Sequence, residues 1–178
     1  IKMLLSGFDH SNTPEVNEKI KGNLKLAVDE AIVGVREISA NISPHILNNF
    51  GLKDAVGSFI KKLRPAEGIE ITFETNVENR RFAYNVEVIM YRVVCELLNN
   101  TLRHAEASKI SIDLQLQNDI LYLEYEDNGM GFDVKLAESD GGMGLSNMQY
   151  RLNSGNGDIK ILSERGKGMI ARAFIKCK

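Results

Sequence analysis

Apolar residues return along the first quarter of the chain at intervals of three and four. Val16, Ile20, Leu24, Ala27, Ala31, Val35, Ile38 and Ile42 form a seam at heptad spacing, the pattern of a long bundle or coiled-coil helix. Thr13 is suited to cap that helix, with Pro14 at its first position and Glu15 and Glu18 where carboxylates favour the helix dipole. Residues 1–8 read as the last turns of an earlier helix, broken by Gly7 and the polar run 9–14. A second stripe, Val28, Ile32 and Val35, widens the buried face beyond one partner helix. The pattern predicts a helical hairpin that dimerises into a bundle, the alternative being a hairpin packed only on its own chain.

After Ser43-Pro44 the periodicity changes repeatedly. A short helix is predicted from about Ile46 to Leu63, then a strand over 69–75 with Ile69, Ile71 and Phe73 on one face. Residues 85–104 carry a helical stripe through Val86, Ile89, Met90, Val93, Leu97 and Leu98. Two alternating strands, 109–117 and 120–126, meet at Asn118-Asp119, a hairpin signal. A glycine-rich loop, 127–144, leads to a helix near 145–153, and strands 158–163 and 169–177 flank Gly166-Lys167-Gly168. The expected fold class is α+β: a two-layer α/β sandwich with strands on one side, helices on the other and hairpins rather than crossovers, preceded by an α-helical hairpin. The expected boundary separates a helical region, 1–45, from a sandwich domain, 46–178.

Composition narrows the function classes. The 178 residues include 22 basic and 24 acidic side chains, a net charge of −2, so neither nucleic acid nor direct membrane contact is expected. Cys95 and Cys177 lie far apart with no CxxC spacing, which argues against a disulfide framework or a zinc site and for a reducing cytosolic setting. No apolar run is long enough to span a bilayer and no signal peptide heads the chain, which begins with Ile1 and reads as a cytoplasmic piece of a longer protein.

Three stretches carry candidate chemistry. In ELLNNTLRHA, residues 96–105, helical spacing puts Glu96, Asn100 and Arg103 on one face with His104 beside them. A carboxylate, an amide oxygen and a cation there suit a magnesium ion and polyphosphate, although a solvated polar face would look the same. DNGMGF, residues 127–132, sets an acid at a strand's end before two glycines that allow close backbone approach. Asp127 can accept a hydrogen bond from an exocyclic amine such as adenine's; the bland alternative is a turn. In GGMGL, residues 141–145, glycines precede a helix start whose amides can face anionic oxygens, or else form a flexible loop.

The series ELLNNTLRHA, DNGMGF, GGMGL and GKG resembles the Bergerat-type ATP-binding fold shared by gyrase, a heat-shock chaperone, MutL and histidine kinases. Within that group the chain is most similar to sensor histidine kinases of the nitrate-sensor and DesK type. Glu96 heads the first motif, where those kinases carry glutamate, and the segment between Gly131 and Gly141 is short, like their ATP lid. NISPHILNNFGLKDAV resembles their linker from the dimerisation helices, and LSNMQYRLNSGNGDIKILSERGKG their pattern after the lid.

The resemblance implies ATP and Mg²⁺ as ligands. Asp127 would contact the adenine amine, with Gly129, Gly131 and Gly168 shaping the pocket; Asn100 would ligate magnesium. Arg103 and His104 would sit near the phosphates, His104 having core packing as its alternative. Gly142 and Gly144 would form the lid hinge, with Leu145 behind it. Glu96 would act near the γ-phosphate as a base or as an organiser of water and metal. Implied partners are a response regulator receiver domain and a second copy, through the N-terminal helices, in a parent anchored in a membrane.

Two departures stand out. Met169 occupies the place where the family usually has a threonine that holds a water against adenine. The phosphoacceptor histidine is also missing: His10 precedes Ser11 in a polar loop, His45 follows Pro44, and His104 belongs to the ATP motif, so the acceptor is expected upstream of Ile1. The alternative within the fold is an ATPase conformational switch of the MutL, gyrase or chaperone type. A non-catalytic binding module and an anti-sigma serine kinase share the motifs as well.

Overall fold

The computed structural model describes residues 44–63, 68–139 and 143–178. The expected heptad seam over 16–42, its dimer, and Gly141 and Gly142 of the third motif lie outside the described residues. Residues 44–178 form one compact unit.

The helical stripe read at 85–104 becomes the central helix. We number the elements in chain order: α1 (Pro44–Leu63), β1 (Glu70–Thr75), α2 (Tyr84–His104), β2 (Lys109–Gln117), β3 (Ile120–Asp127), α3 (Val134–Ser139), α4 (Met143–Ser154), β4 (Gly157–Ser163) and β5 (Met169–Lys176). Val86, Met90, Val93, Leu97 and Leu98 of α2 are buried, as are Leu47, Leu52, Val56 and Ile60 of α1 and Met148 and Leu152 of α4. They pack on the inward rows of the sheet: Ile110, Ile112 and Leu114 of β2, Leu121, Leu123 and Tyr125 of β3, and Ala171, Ala173 and Ile175 of β5. Each large side chain so buried contributes ~1.5–3 kcal/mol. The outward row of β3, Tyr122, Glu124 and Glu126, is exposed, so among the described residues helices cover one face only and the fold is a two-layer α+β sandwich.

The sheet order is β1-β2-β3-β5-β4, with β1 and β2 parallel and the other neighbouring pairs antiparallel. This corrects the expectation of hairpins without crossovers. Parallel neighbours cannot be joined by a tight turn, and α2 carries the chain from β1 to β2. A second crossover, through α3 and α4, takes it from β3 to β4 beyond β5. The hairpin read at Asn118-Asp119 is present; both residues have positive φ, 49° and 60°, as a type I′ turn requires.

Two further corrections are local. The segment 127–144, read as a loop, contains α3 and the start of α4. The helix expected from Ile46 begins at Pro44 and is broken at Gly51 (φ 81°, ψ −176°). At the break Arg81 donates to the carbonyls of Asn48 (2.9 Å) and Leu47 (3.3 Å). The same guanidinium grips both oxygens of Glu87, at 2.9 and 3.0 Å, and Phe82 N–H adds a third bond at 2.9 Å. Glu87 is fully buried, which a carboxylate tolerates when paired in this bidentate way. This clasp ties α1 to the start of α2.

Burial pushes the Cys95 thiol up to about 12, so it is an inert core group rather than a nucleophile. Among the described residues no helix is long and apolar enough to cross a membrane.

Candidate functional site

Strand alternation carries Asp127 to the covered face of the sheet. It follows Leu121, Leu123 and Tyr125 on the inward row of β3 and is only 4% exposed. A buried carboxylate needs donors, and it has two: Gly129 N–H reaches Oδ1 at 2.9 Å and the Thr101 hydroxyl reaches Oδ2 at 2.8 Å. Behind Thr101 stands the Tyr125 hydroxyl, 2.7 Å from Thr101 Oγ1 and 3.3 Å from the Leu97 carbonyl. Burial, seconded by the charge of Asp127 and opposed by the Thr101 bond, raises the Tyr125 phenol well above its ordinary range, so it stays a donor.

Neither Thr101 nor Tyr125 was singled out by the motif reading. The signal was present all the same. Thr101 continues the apolar stripe of α2 after Val94, Leu97 and Leu98, and a hydroxyl on a buried face must find a partner.

The glycines expected around Asp127 are there because two loops interlock. Gly131 and Gly168 both have positive φ, 59° and 73°. A side chain on Gly131 would collide with the Glu164 and Gly168 carbonyls, and one on Gly168 with the Asp127 carbonyl. Gly129 lies equally tight against Ala105 at the end of α2. Hydrogen bonds lock the arrangement: Met130 N–H to Ala105 O (2.7 Å), Gly166 N–H to Met130 O (2.6 Å), Phe132 N–H to Ser163 Oγ (2.9 Å) and Ser163 Oγ–H to Gly168 O (2.7 Å). Asn128 is structural, its amide oxygen accepting from the Ser108 and Lys109 N–H groups at 3.0 and 2.8 Å. We expect Gly168→Ala to cost ~2–4 kcal/mol through left-handed strain and overpacking. Chemical denaturation of the unaltered and altered chains checks this.

Glu96 and Asn100 stand one turn apart on α2, both half-buried. The start of α4 closes on them: a Cβ on Gly144 would lie 2.7 Å from Glu96 Oε1 and 3.5 Å from Asn100 Nδ2. The first and third motifs therefore meet, with glycine at the point of contact. Arg103 and His104 end α2 and are exposed, which places the Arg103 cation favourably at the helix C-terminus and removes core packing as the alternative for His104. Leu145 packs partly against the core. It also lines a cavity of ≈ 330 Å³ with Val134, Ser146, Gln149, Ile159 and Ile161, which Asp127, Glu96 and Asn100 do not line. Met169 is buried and in register with Asp127 across β3 and β5, so an apolar side chain does stand beside the carboxylate.

The residues present fit a purine nucleotide with a hard cation. Asp127 offers acceptor lone pairs for an amine, and backbone approaches closely at the glycines. Glu96 and Asn100 offer the oxygen donors that magnesium prefers.

Residues 85–178, more than half of the chain, match the family model of histidine kinase-, DNA gyrase B-, and HSP90-like ATPases. The oxygen sensor histidine kinase NreB of Staphylococcus carnosus (strain TM300) is 29% identical over 170 residues, which cover 96% of this chain and 48% of that protein. Two solved structures of a blue-light activated histidine kinase from Erythrobacter litoralis EL346 share the fold, both at a TM-score of 0.56 over 68% of this chain. The histidine kinase domain is 18% identical with 59% of its length covered, the other structure 17% identical with 39% covered. The chain thus spans about half the length of that relative.

Proposed function

Because the chain belongs to the histidine kinase-, DNA gyrase B- and HSP90-like ATPase family, we propose that it is the ATP-binding catalytic region of a two-component sensor histidine kinase of the nitrate-sensor type. It binds Mg-ATP, passes the γ-phosphate to a histidine on a dimeric helical hairpin, and a response regulator then takes the phosphate onto an aspartate. Residues 1–45 are the part of that hairpin leading into the catalytic domain, 46–178, and they join two copies. With ATP as substrate, the domain works in the cytoplasm; we assign it to a membrane-anchored parent.

The observation that carries this reading is the buried Asp127 carboxylate, fixed at both oxygens beside interlocked glycine loops. Asp127 accepts from the adenine amine, in a pocket shaped by Gly129, Gly131 and Gly168. Asn100 would hold magnesium, which would supply charge neutralisation for the phosphates. Arg103 and His104, exposed at the end of α2, sit near the phosphates, and Gly144 serves the lid hinge with Leu145 behind it. Phosphoryl transfer needs positioning and charge compensation more than covalent help, and these residues supply both. Glu96 completes the set, as base or as organiser of water and metal.

The test is calorimetric titration of the chain with magnesium and a non-hydrolysable ATP analogue, followed by incubation with ATP and a separately supplied dimerisation hairpin bearing its histidine. Binding in the first step and acid-labile phosphate on the hairpin in the second are expected. Sustained ATP hydrolysis with no phosphate on the hairpin would overturn the kinase reading in favour of an ATPase switch. No binding at all would overturn both.

A further inference from the structure

The polar chain behind Asp127 does something the roles above leave out. Thr101, 3% exposed, has one hydroxyl proton and two lone pairs to place. A threonine inside a helix commonly turns its proton back to the carbonyl four residues earlier. Here that carbonyl, Leu97 O, already has the Tyr125 hydroxyl 3.3 Å away, and the same hydroxyl lies 2.7 Å from Thr101 Oγ1. Tyr125 donates into the threonine oxygen, so the threonine's own proton is turned to Asp127 Oδ2 at 2.8 Å. Across the strand, Met169 has no proton to give. Among the described residues Thr101 is the only side chain that donates to this carboxylate.

Taking Asp127 as the acceptor for the base, the reading on which this inference rests, we propose that Thr101 is a positioning residue for base selectivity, with Tyr125 setting the direction of its proton. A carboxylate holding one fixed donor at each oxygen cannot turn about its Cβ–Cγ bond without breaking both bonds. Its remaining lone pairs are acceptors only. A purine with an amine at ring position six is accepted, and one with a carbonyl there meets oxygen against oxygen. Without the threonine hydroxyl, Oδ2 is buried with no donor. It then gains by turning or by taking up a proton, and either change lets it meet a 6-oxo purine on better terms.

The test titrates magnesium with non-hydrolysable analogues of ATP and of inosine triphosphate into the unaltered chain, Thr101→Val, Thr101→Ser, Tyr125→Phe and Asp127→Asn, with a thermal midpoint for each. Thr101→Val should lose about tenfold in affinity for the adenine nucleotide, and the adenine-to-inosine ratio should narrow by a similar factor. Thr101→Ser should restore both, and Tyr125→Phe should narrow the ratio less. An unchanged ratio in a folded Thr101→Val overturns the proposal. So does an equal loss for both nucleotides that serine does not rescue, which would make Thr101 a packing residue. Should Thr101→Val fail to fold, Tyr125→Phe decides, an unchanged ratio overturning the proposal and a narrowed one supporting it. If Asp127→Asn alone loses binding, only this inference falls; if the unaltered chain binds neither nucleotide, the ATP reading falls with it.

Discussion

Asp127→Asn is expected to weaken binding of magnesium and a non-hydrolysable ATP analogue by roughly 100-fold, the value of one or two hydrogen bonds to a charged group. The change is nearly isosteric, so the pocket keeps its shape while its hydrogen-bond logic inverts. The carboxylate accepts from Gly129 N–H at one oxygen and from Thr101 at the other. An amide has a single oxygen. If that oxygen keeps the Gly129 bond, the amide nitrogen faces the Thr101 hydroxyl, which must turn its proton away and accept instead; if it keeps Thr101, the nitrogen faces the Gly129 N–H, donor against donor, in a site almost closed to water. An adenine amine then meets an additional donor instead of two acceptors. The loss is therefore larger than deletion of one bond, and part of it appears as lower stability. Calorimetry on the two chains, with a thermal midpoint for each to confirm folding, measures it. Affinity within threefold of the unaltered chain would remove Asp127 from base recognition.

Why Asp127 stands out in the sequence, while Thr101 shows only as a hydroxyl on a buried helical face with its partner unnamed, is a matter of which neighbours are local. DNGMGF is contiguous, and an acid at a strand end before glycines is visible one residue after another. The partner that fixes the acid comes from α2, 26 residues earlier, and only the packing of α2 on the inward face of the sheet brings it to Asp127. The same limit explains the sheet. Alternation at 69–75 and 109–117 marks two strands but carries no information on direction, so the parallel pairing of β1 with β2 waited for the crossover through α2. The hairpin at Asn118-Asp119 was legible because the turn itself dictates it. The break in α1 at Gly51 follows a similar division. A glycine inside a helical pattern signals weakness, yet what holds the break is Arg81, thirty residues further along the chain.

Glu96→Gln should separate binding from transfer. We expect the rate of phosphoryl transfer from ATP to the supplied hairpin to fall by about 10²–10⁴-fold, the usual contribution of a positioned acid or base, while affinity for the nucleotide stays within a few-fold. The argument is geometric. Glu96 lies on α2 one turn before Asn100, and its Oε1 lies 2.7 Å from where a Cβ on Gly144 would stand, so the carboxylate points into the gap between α2 and the start of α4. The amide keeps the size of the group and one oxygen, but it loses the charge and the capacity to take a proton from the acceptor imidazole. An interaction made only as the phosphoryl group moves lowers kcat without raising KM. A magnesium titration then assigns the role. If Glu96 takes the proton, the magnesium midpoint for nucleotide binding is the same in both chains. If it organises the metal with Asn100, the midpoint rises in Glu96→Gln and the rate recovers at high magnesium. A transfer rate unchanged by the substitution would take Glu96 out of the reaction and leave its carboxylate as a spacer between the two helices.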